Sequence, residues 1–302
     1  MIARLQQLIA LSLLAIAGVW KWYAWPDFGL IVIGFLAAAG VYITYFALLF
    51  IAIHYLNRTD PQPRASLAEL LRAWLREAIA AFRIFLWRQP FRHQAVPDFL
   101  PVHQQRGVVF IHGFICNRGF WNPWMVRLKA QNRAFVAVNL EPIFGSIDDY
   151  APRIEAAVAQ VTAATGLPPT LICHSMGGLA ARAWLRATPG RDARVDRVIT
   201  IGTPHHGTLL SQRQLHQNTR QMERFSDWTR QLDADEPPTR RARFICWYGN
   251  CDNIVVPTST AMLAGADNRL VTAHGHVSLA FDERVMRESM ALLVNPVDVP
   301  VI

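Results

Sequence analysis

The chain has 302 residues, of which 52% are apolar and 17% charged. That excludes an intrinsically disordered chain; 18 Pro and 17 Gly without a period exclude a collagen-like one, and four Cys exclude a disulfide-dense scaffold. The net charge of +8 is uneven, with nine basic and four acidic groups in residues 1–92 (+5) and 21 and 18 in residues 93–302 (+3), so the excess adjoins the most apolar stretch and points to a membrane surface rather than nucleic acid.

Two apolar helices are predicted first. Leu8 to Trp20 is uncharged, and the run continues through Trp22, Tyr23 and Trp25 with Lys21 as its only charge. Phe28 to Ile53 holds 26 residues without a charge, where about 20 suffice to span a bilayer. Only Trp25, Pro26 and Asp27 separate the runs, so residues 1–56 are read as a transmembrane hairpin. A signal peptide led by Arg4 is the alternative for the first run; the lack of a small-x-small cleavage site and the second run directly behind it oppose that. A buried soluble helix is the alternative for the second, opposed by its uncharged length. Arg4 precedes the hairpin and Arg58 and Arg64 follow it, with Lys21 between the runs. The positive-inside rule then puts the rest of the chain on the cytoplasmic side of a bacterial inner membrane. A transporter is disfavoured, since Thr44 and the terminal His54 are the only polar groups of the second run.

Residues 57–104 are read as a linker (57–65) followed by a basic amphipathic helix from Ser66 to Arg88. Ser66 and Glu69 form a capping-box pair. Leu67, Leu70, Leu71, Trp74, Leu75, Ala78, Ile79, Phe82, Phe85 and Leu86 follow helical spacing, with Arg72, Arg76, Arg83 and Arg88 largely off that stripe. The pattern suits a helix in the bilayer interface, or one packed on the following domain; the two readings are compatible.

From residue 105 to 302, short apolar runs (108–111, 135–140, 170–173, 195–201 and 244–248) alternate with helical stretches near 121–132, 149–165 and 177–188. Such alternation predicts an α/β fold with a mostly parallel, doubly wound sheet. Thr170-Leu-Ile-Cys-His-Ser-Met-Gly-Gly178 reads as a strand, a tight turn centred on Ser175 and a helix, the setting of a nucleophile elbow. Close backbone approach requires small residues two positions either side of the serine. Gly177 supplies one, and Cys173 stands where Gly is usual.

These motifs resemble an α/β-hydrolase of the bacterial lipase/esterase type. Val109-Phe-Ile-His-Gly-Phe114 is similar to the family's oxyanion-hole turn, Ile201-Gly-Thr-Pro-His-His-Gly-Thr208 to its Gly-(Thr/Ser)-Pro-His-x-Gly loop, and Tyr248 to Pro257 with Gly275-His-Val-Ser-Leu279 to its acid and histidine loops. The resemblance covers about residues 105–295. It implies Ser175 as nucleophile, His276 as base and Asp252 as its acid, with backbone N–H groups of Phe114 and Met176 as the oxyanion hole. Asp267 or Asp282 are alternative acids and His274 an alternative base. His112 and His205 are expected to hold loops, and His174 and His206 to flank the site. Some lipases of this type bind calcium through an Asp two residues after the histidine; Ser278 stands there, so no metal and no cofactor are expected. The four Cys are read as free buried thiols. Residues 208–238 read as a cap or lid insertion of one or two short helices, with Leu215, Met222, Phe225, Trp228 and Leu232 as its apolar set, or as a packed surface helix.

The function implied is a membrane-anchored serine hydrolase of carboxylic esters, lipid acyl esters foremost. Its partners would be that substrate and the bilayer, without nucleic acid. An acyltransferase or thioesterase would use the same triad. A non-catalytic membrane scaffold would not need an intact one.

Overall fold

The structure is a computed structural model and describes residues 2–102, 104–187, 190–212 and 215–293. Six strands form one sheet: β1 (Val108–Ile111), β2 (Phe135–Ala137), β3 (Thr170–His174), β4 (Val198–Ile201), β5 (Phe244–Gly249) and β6 (Asp267–Val271). Their order is β2-β1-β3-β4-β5-β6 and every pairing is parallel. Among the helices, α1 (Ile2–Ala24), α2 (Phe28–Leu56), α3 (Leu67–Ala81) and the short α4 (Gln89–Phe91) precede the sheet. Then come α5 (Asn122–Ala130), α6 (Ala151–Thr165), α7 (Met176–Ala187), α8 (Gln217–Gln221), α9 (Asp227–Asp235), α10 (Pro238–Arg241), α11 (His276–Leu279) and α12 (Glu283–Ala291).

Successive strand residues point to opposite faces. Val109, Ile111, Leu171, Cys173, Val198 and Cys246 pack in one core with α6 and α7. Val108, Phe110, Ile172, Ile199, Ile245 and Trp247 pack in the other with α5 and α12. Both faces are covered, so β1 to β5 are buried along their length and mostly apolar, which makes them legible in the sequence. The sixth strand is an addition to that reading. As an edge strand it pairs only with β5, and Asp267 to Leu270 are exposed or half-buried. No apolar run therefore marks it.

The predicted helix over 66–88 is present, with its capping box: Glu69 N–H donates to the Ser66 hydroxyl and Ser66 N–H to the Glu69 carboxylate. After Ala81 it widens into a π-helix (Phe82–Arg88), in which the Gln89 N–H bonds the Ile84 carbonyl, before closing as α4. Pro90 has no N–H and crowds the carbonyl four residues back, which is a local reason for the wider turn. The stretch 57–65 is fastened rather than free. The Asn57 side chain accepts from Thr258 N–H (3.0 Å), Asp60 from Ser259 N–H (3.1 Å), and the Tyr248 hydroxyl donates to Gln62 (3.0 Å).

Helices α1 and α2 are each long and apolar enough to cross a membrane, and most of their side chains are exposed. The last third of α2 packs against α3: Phe46, Phe50 and Ile53 meet Leu70, Ala73, Cys251 and Val256. In 208–238 the short helices α8 and α9 are present, but the expected apolar set is split. Met222 and Leu232 are buried and Trp228 packs on the core, whereas Leu215 is 87% exposed and Phe225 is exposed. The segment is broken into separate short turns, so helical spacing does not carry across it.

Candidate active site

Ser175 sits between β3 and α7 with φ +54°, a left-handed conformation that a non-glycine residue adopts at a cost. Its N–H donates to the Ile201 carbonyl (2.9 Å), and the Thr203 hydroxyl donates to its carbonyl (2.9 Å). A Cβ on Gly177 would collide with the carbonyls of Ile111 and His112, and one on Gly178 with Thr203. That is why positions 177 and 178, in the first turn of α7, take only glycine. Cys173 is buried between β1 and β4. The serine therefore lies at the carboxyl ends of β1 and β3, where the strand order reverses.

The histidine and acid loops meet nearby. His276 Nδ1 lies 3.1 and 2.9 Å from the two Asp252 oxygens, and both residues are buried, at 5% and 1% exposure. Asp252 Oδ1 also accepts from the N–H groups of Ile254 (2.9 Å) and Val255 (2.8 Å). Burial opposes an imidazolium at His276, but the charge and hydrogen bond of Asp252 outweigh it and hold the ring above its ordinary pKa. With Nδ1–H donated to Asp252, Nε2 is left as the basic nitrogen. Gly202 links this pair to the elbow. It follows Ile201, and a Cβ on it would lie 3.1 Å from Asp252 Oδ2 and 3.2 Å from His276 Nδ1. His174, next to Ser175, donates Nε2–H to the His276 carbonyl (3.1 Å), with ring centroids 4.6 Å apart. Burial, reinforced by the neighbouring His276, keeps His174 well below its usual pKa. No hydrogen bond joins the Ser175 hydroxyl to His276 among the described residues; such contacts commonly tighten only when substrate binds.

The alternatives are engaged elsewhere. Asp267 pairs with Arg269 (2.7 Å). Asp282 caps α12 and faces His274 at 3.4 Å, while His274 also meets Thr272 and Arg76. Gly113 abuts the elbow, since a Cβ on it would lie 2.8 Å from Ser175 Cβ. Phe114 follows it, and Met176 opens α7, whose first N–H groups lack helical partners. His112 Nδ1–H donates to the Gly113 carbonyl (2.8 Å) and its Nε2 accepts from Leu140 N–H (3.1 Å), with burial pushing its pKa down to about 4. His205 is buried against Thr200 (3.1 Å), and His206 faces Asp233 (2.9 Å). All four Cys are free and buried. Among the described residues no three His, Cys, Asp or Glu side chains gather as a metal site.

Sequence reasoning missed Glu77. This α3 carboxylate is buried and accepts from the N–H groups of Val277 and Ser278, 2.8 Å each, at the turn that carries His276. The available signal was a carboxylate on the face shared by Leu70, Ala73 and Ala81. Burial pushes its carboxyl up, while the two N–H donors and the His276 charge oppose that shift. The other N-terminal helices reach the site as well. Gln6 of α1 donates to the carbonyl of Ile115, one residue past Phe114 (3.2 Å), and α2 packs on Cys251 and Val256 of the acid loop.

Glu77 is thus a positioning residue for the histidine turn. Its charge also favours the His276 cation. Were His276 a catalytic base, it would have to be neutral to accept a proton, and a raised pKa would move the acid limb of activity above the ordinary imidazole value of about 6.5. Glu77→Gln is expected to shift that limb to lower pH and to weaken the turn, because one of two charge-assisted acceptors is lost. A kcat/KM profile with an unmoved or upward-shifted limb would contradict the electrostatic part.

This sheet, with an elbow serine at the switch point, defines an α/β-hydrolase fold. A family model described as PGAP1-like alpha/beta domain matches residues 166–283, a span that contains Ser175, Asp252 and His276. The mature form of Bacillus licheniformis lipase BlEst2 superposes with TM-score 0.56 at 19% identity, covering 66% of this chain and 96% of that one. Aspergillus fumigatus lipase B superposes with TM-score 0.54 at 18% identity, covering 65% and 55%. No curated protein sequence matches the chain.

Proposed function

We propose that the protein is a membrane-anchored serine hydrolase that cleaves carboxylic esters, lipid acyl esters foremost, through Ser175, His276 and Asp252. The observation that carries this reading is the buried Asp252–His276 pair beside the left-handed Ser175 elbow. His276 Nε2 takes the Ser175 proton as the oxygen attacks the ester carbonyl, then returns it to the leaving alcohol. Asp252 holds the tautomer and stabilises the imidazolium. Water, deprotonated by His276, releases the acyl-enzyme as the free acid. The C=O and the following N–H of a trans peptide point in opposite directions. By holding the Gly113 carbonyl, His112 therefore sets the direction of the Phe114 N–H, which with Met176 N–H would face the oxyanion. Each such donor is worth roughly 3–4 kcal/mol in the transition state.

A lipid substrate is supported by the exposed apolar α1 and α2 and by Ile115 and Phe144, both exposed, beside the oxyanion loop. Hydrolysis of short and long acyl esters, phospholipids and thioesters by the purified full chain tests the reading. His276→Ala is expected to cost several orders of magnitude in turnover and His274→Ala far less. The reverse order would move the base to His274. Preferred transfer to an added alcohol, or faster thioester cleavage, would favour the acyltransferase or thioesterase. On the charge pattern, both ends of the hairpin lie on the cytoplasmic side. A cytoplasmic reporter fused after Ile302 should be active, and strong signal from a periplasmic reporter there would overturn that topology.

A further inference from the structure

Around the helix that runs from α3 through the π segment, residues divide into three sectors. Leu70, Ala73, Glu77, Ala81 and Ile84 are buried on the protein. Leu67, Leu71, Leu75, Ile79 and Phe82 form an exposed apolar strip at helical spacing. Beside that strip, on the flank next to Ile79, run Arg76, Arg83 and Arg88, which with Ile79 line one wall of a cleft of about 370 Å³; Arg127, Phe281 and Met286 line the other. The π segment matters here. Its i→i+5 bonding swings Arg88 toward the flank of Arg83, with which it lines the cleft, whereas α-helical spacing would carry Arg88 well round the helix from Arg83.

The cleft has a local excess of positive charge. Arg127 is paired with Glu283 (2.7 Å) and His274 faces Asp282. Among the described residues Arg76, Arg83 and Arg88 have no carboxylate partner: Arg76 donates to the Ala273 carbonyl (3.0 Å), and Arg88 lies over the Phe281 ring (5.3 Å). Burial, and then the charge of Arg83, make the Arg88 cation harder to hold. An anion between these guanidinium groups would relieve both costs, and their planar forks suit a phosphate. The helix is also tied to both apolar helices. The Tyr42 hydroxyl of α2 donates to the Ala78 carbonyl (2.6 Å) and Gln7 of α1 to the Pro90 carbonyl (2.7 Å).

We propose that this cleft binds the phosphate of an anionic phospholipid, with Arg83 and Arg88 as its principal donors, Arg76 at its edge and the acyl chains lying along the Leu71–Leu75–Ile79 strip. The lipid source rests on the membrane reading above; the phosphate chemistry does not, and neither depends on the hydrolase reading. Ala273 and His274, next to Arg76, belong to the histidine loop, so headgroup and catalytic turn share a wall.

The test uses the detergent-purified full chain and reads binding rather than turnover. Native mass spectrometry and thermal shift are compared for dihexanoyl phosphatidylglycerol, dihexanoyl phosphatidylcholine and inorganic phosphate. The expected result is one phosphatidylglycerol retained per chain, bound at least tenfold more tightly than the other two. Arg83→Gln combined with Arg88→Gln should abolish that preference. If the double variant folds poorly because Arg88 packs on Phe281, Arg83→Gln alone should weaken binding severalfold and Arg83→Lys less. Undiminished phosphatidylglycerol binding in a folded Gln variant would overturn the site. Inorganic phosphate binding as tightly as the lipid would overturn the lipid source, and phosphatidylcholine binding equally would overturn the demand for net negative charge. A parent chain that binds the lipid but hydrolyses none of the esters would count against the hydrolase reading only.

Discussion

Ser175→Ala is expected to abolish labelling by a fluorophosphonate probe and to lower ester turnover by about 10⁶-fold, the loss typical when the nucleophile of a triad is removed. The residual rate would come from the oxyanion donors and substrate binding alone. The substitution adds no atoms to a buried site, and a small side chain still fits against Gly113. The thermal midpoint should therefore stay near that of the parent chain, separating a chemical loss from a folding loss. Equal labelling of parent and variant would remove Ser175 from the mechanism. Labelling of neither would favour the scaffold reading, in which the fold is kept without the chemistry.

Arg182→Met is expected to be strongly destabilising. Arg182 lies on α7, the helix that leaves the elbow, and its side chain is fully buried. It donates to Asp233 (2.7 Å), to Glu236 (2.8 Å) and to the His205 carbonyl (3.1 Å). Burial opposes its cation, but these two carboxylates more than offset that and hold its pKa up. Removing the cation leaves Glu236 buried without its main partner, which costs about 3–5 kcal/mol. In a chain of this size that corresponds to a fall of roughly 6–20 °C in the thermal midpoint. Arg182→Lys should recover only part of the loss, because one ammonium cannot reproduce the forked geometry. A midpoint within about 2 °C of the parent for Arg182→Met would mean that the network does not hold α9 to α7 as drawn.

Strands buried on both faces announce themselves as apolar runs, and the edge strand β6, reading Asp-Asn-Arg-Leu-Val, does not. Helical periodicity identifies 66–88 as helix but is blind to the widening at Phe82–Arg88, since the added residue per turn is set by packing and by Pro90 rather than by the apolar pattern. The apolar residues Leu215, Met222, Phe225, Trp228 and Leu232 suit one or two short helices, but the chain there breaks into shorter turns that leave Leu215 and Phe225 exposed.

The class of fold, the strand–turn–helix around Ser175, the two apolar helices and the candidacy of Asp252 and His276 are legible in the residues alone. All of these are local: each depends on the type and spacing of residues within one short stretch, where sterics, apolar periodicity and turn chemistry act directly. Which histidine faces which acid is set by the folded chain, which pairs His276 with Asp252 and His274 with Asp282. The same holds for Glu77 and Gln6, remote in sequence, which brace the turns that carry His276 and Phe114. Such contacts depend on where long loops close and on which buried polar groups must find partners, and a buried carboxylate settles beside whichever N–H donors the fold brings to it.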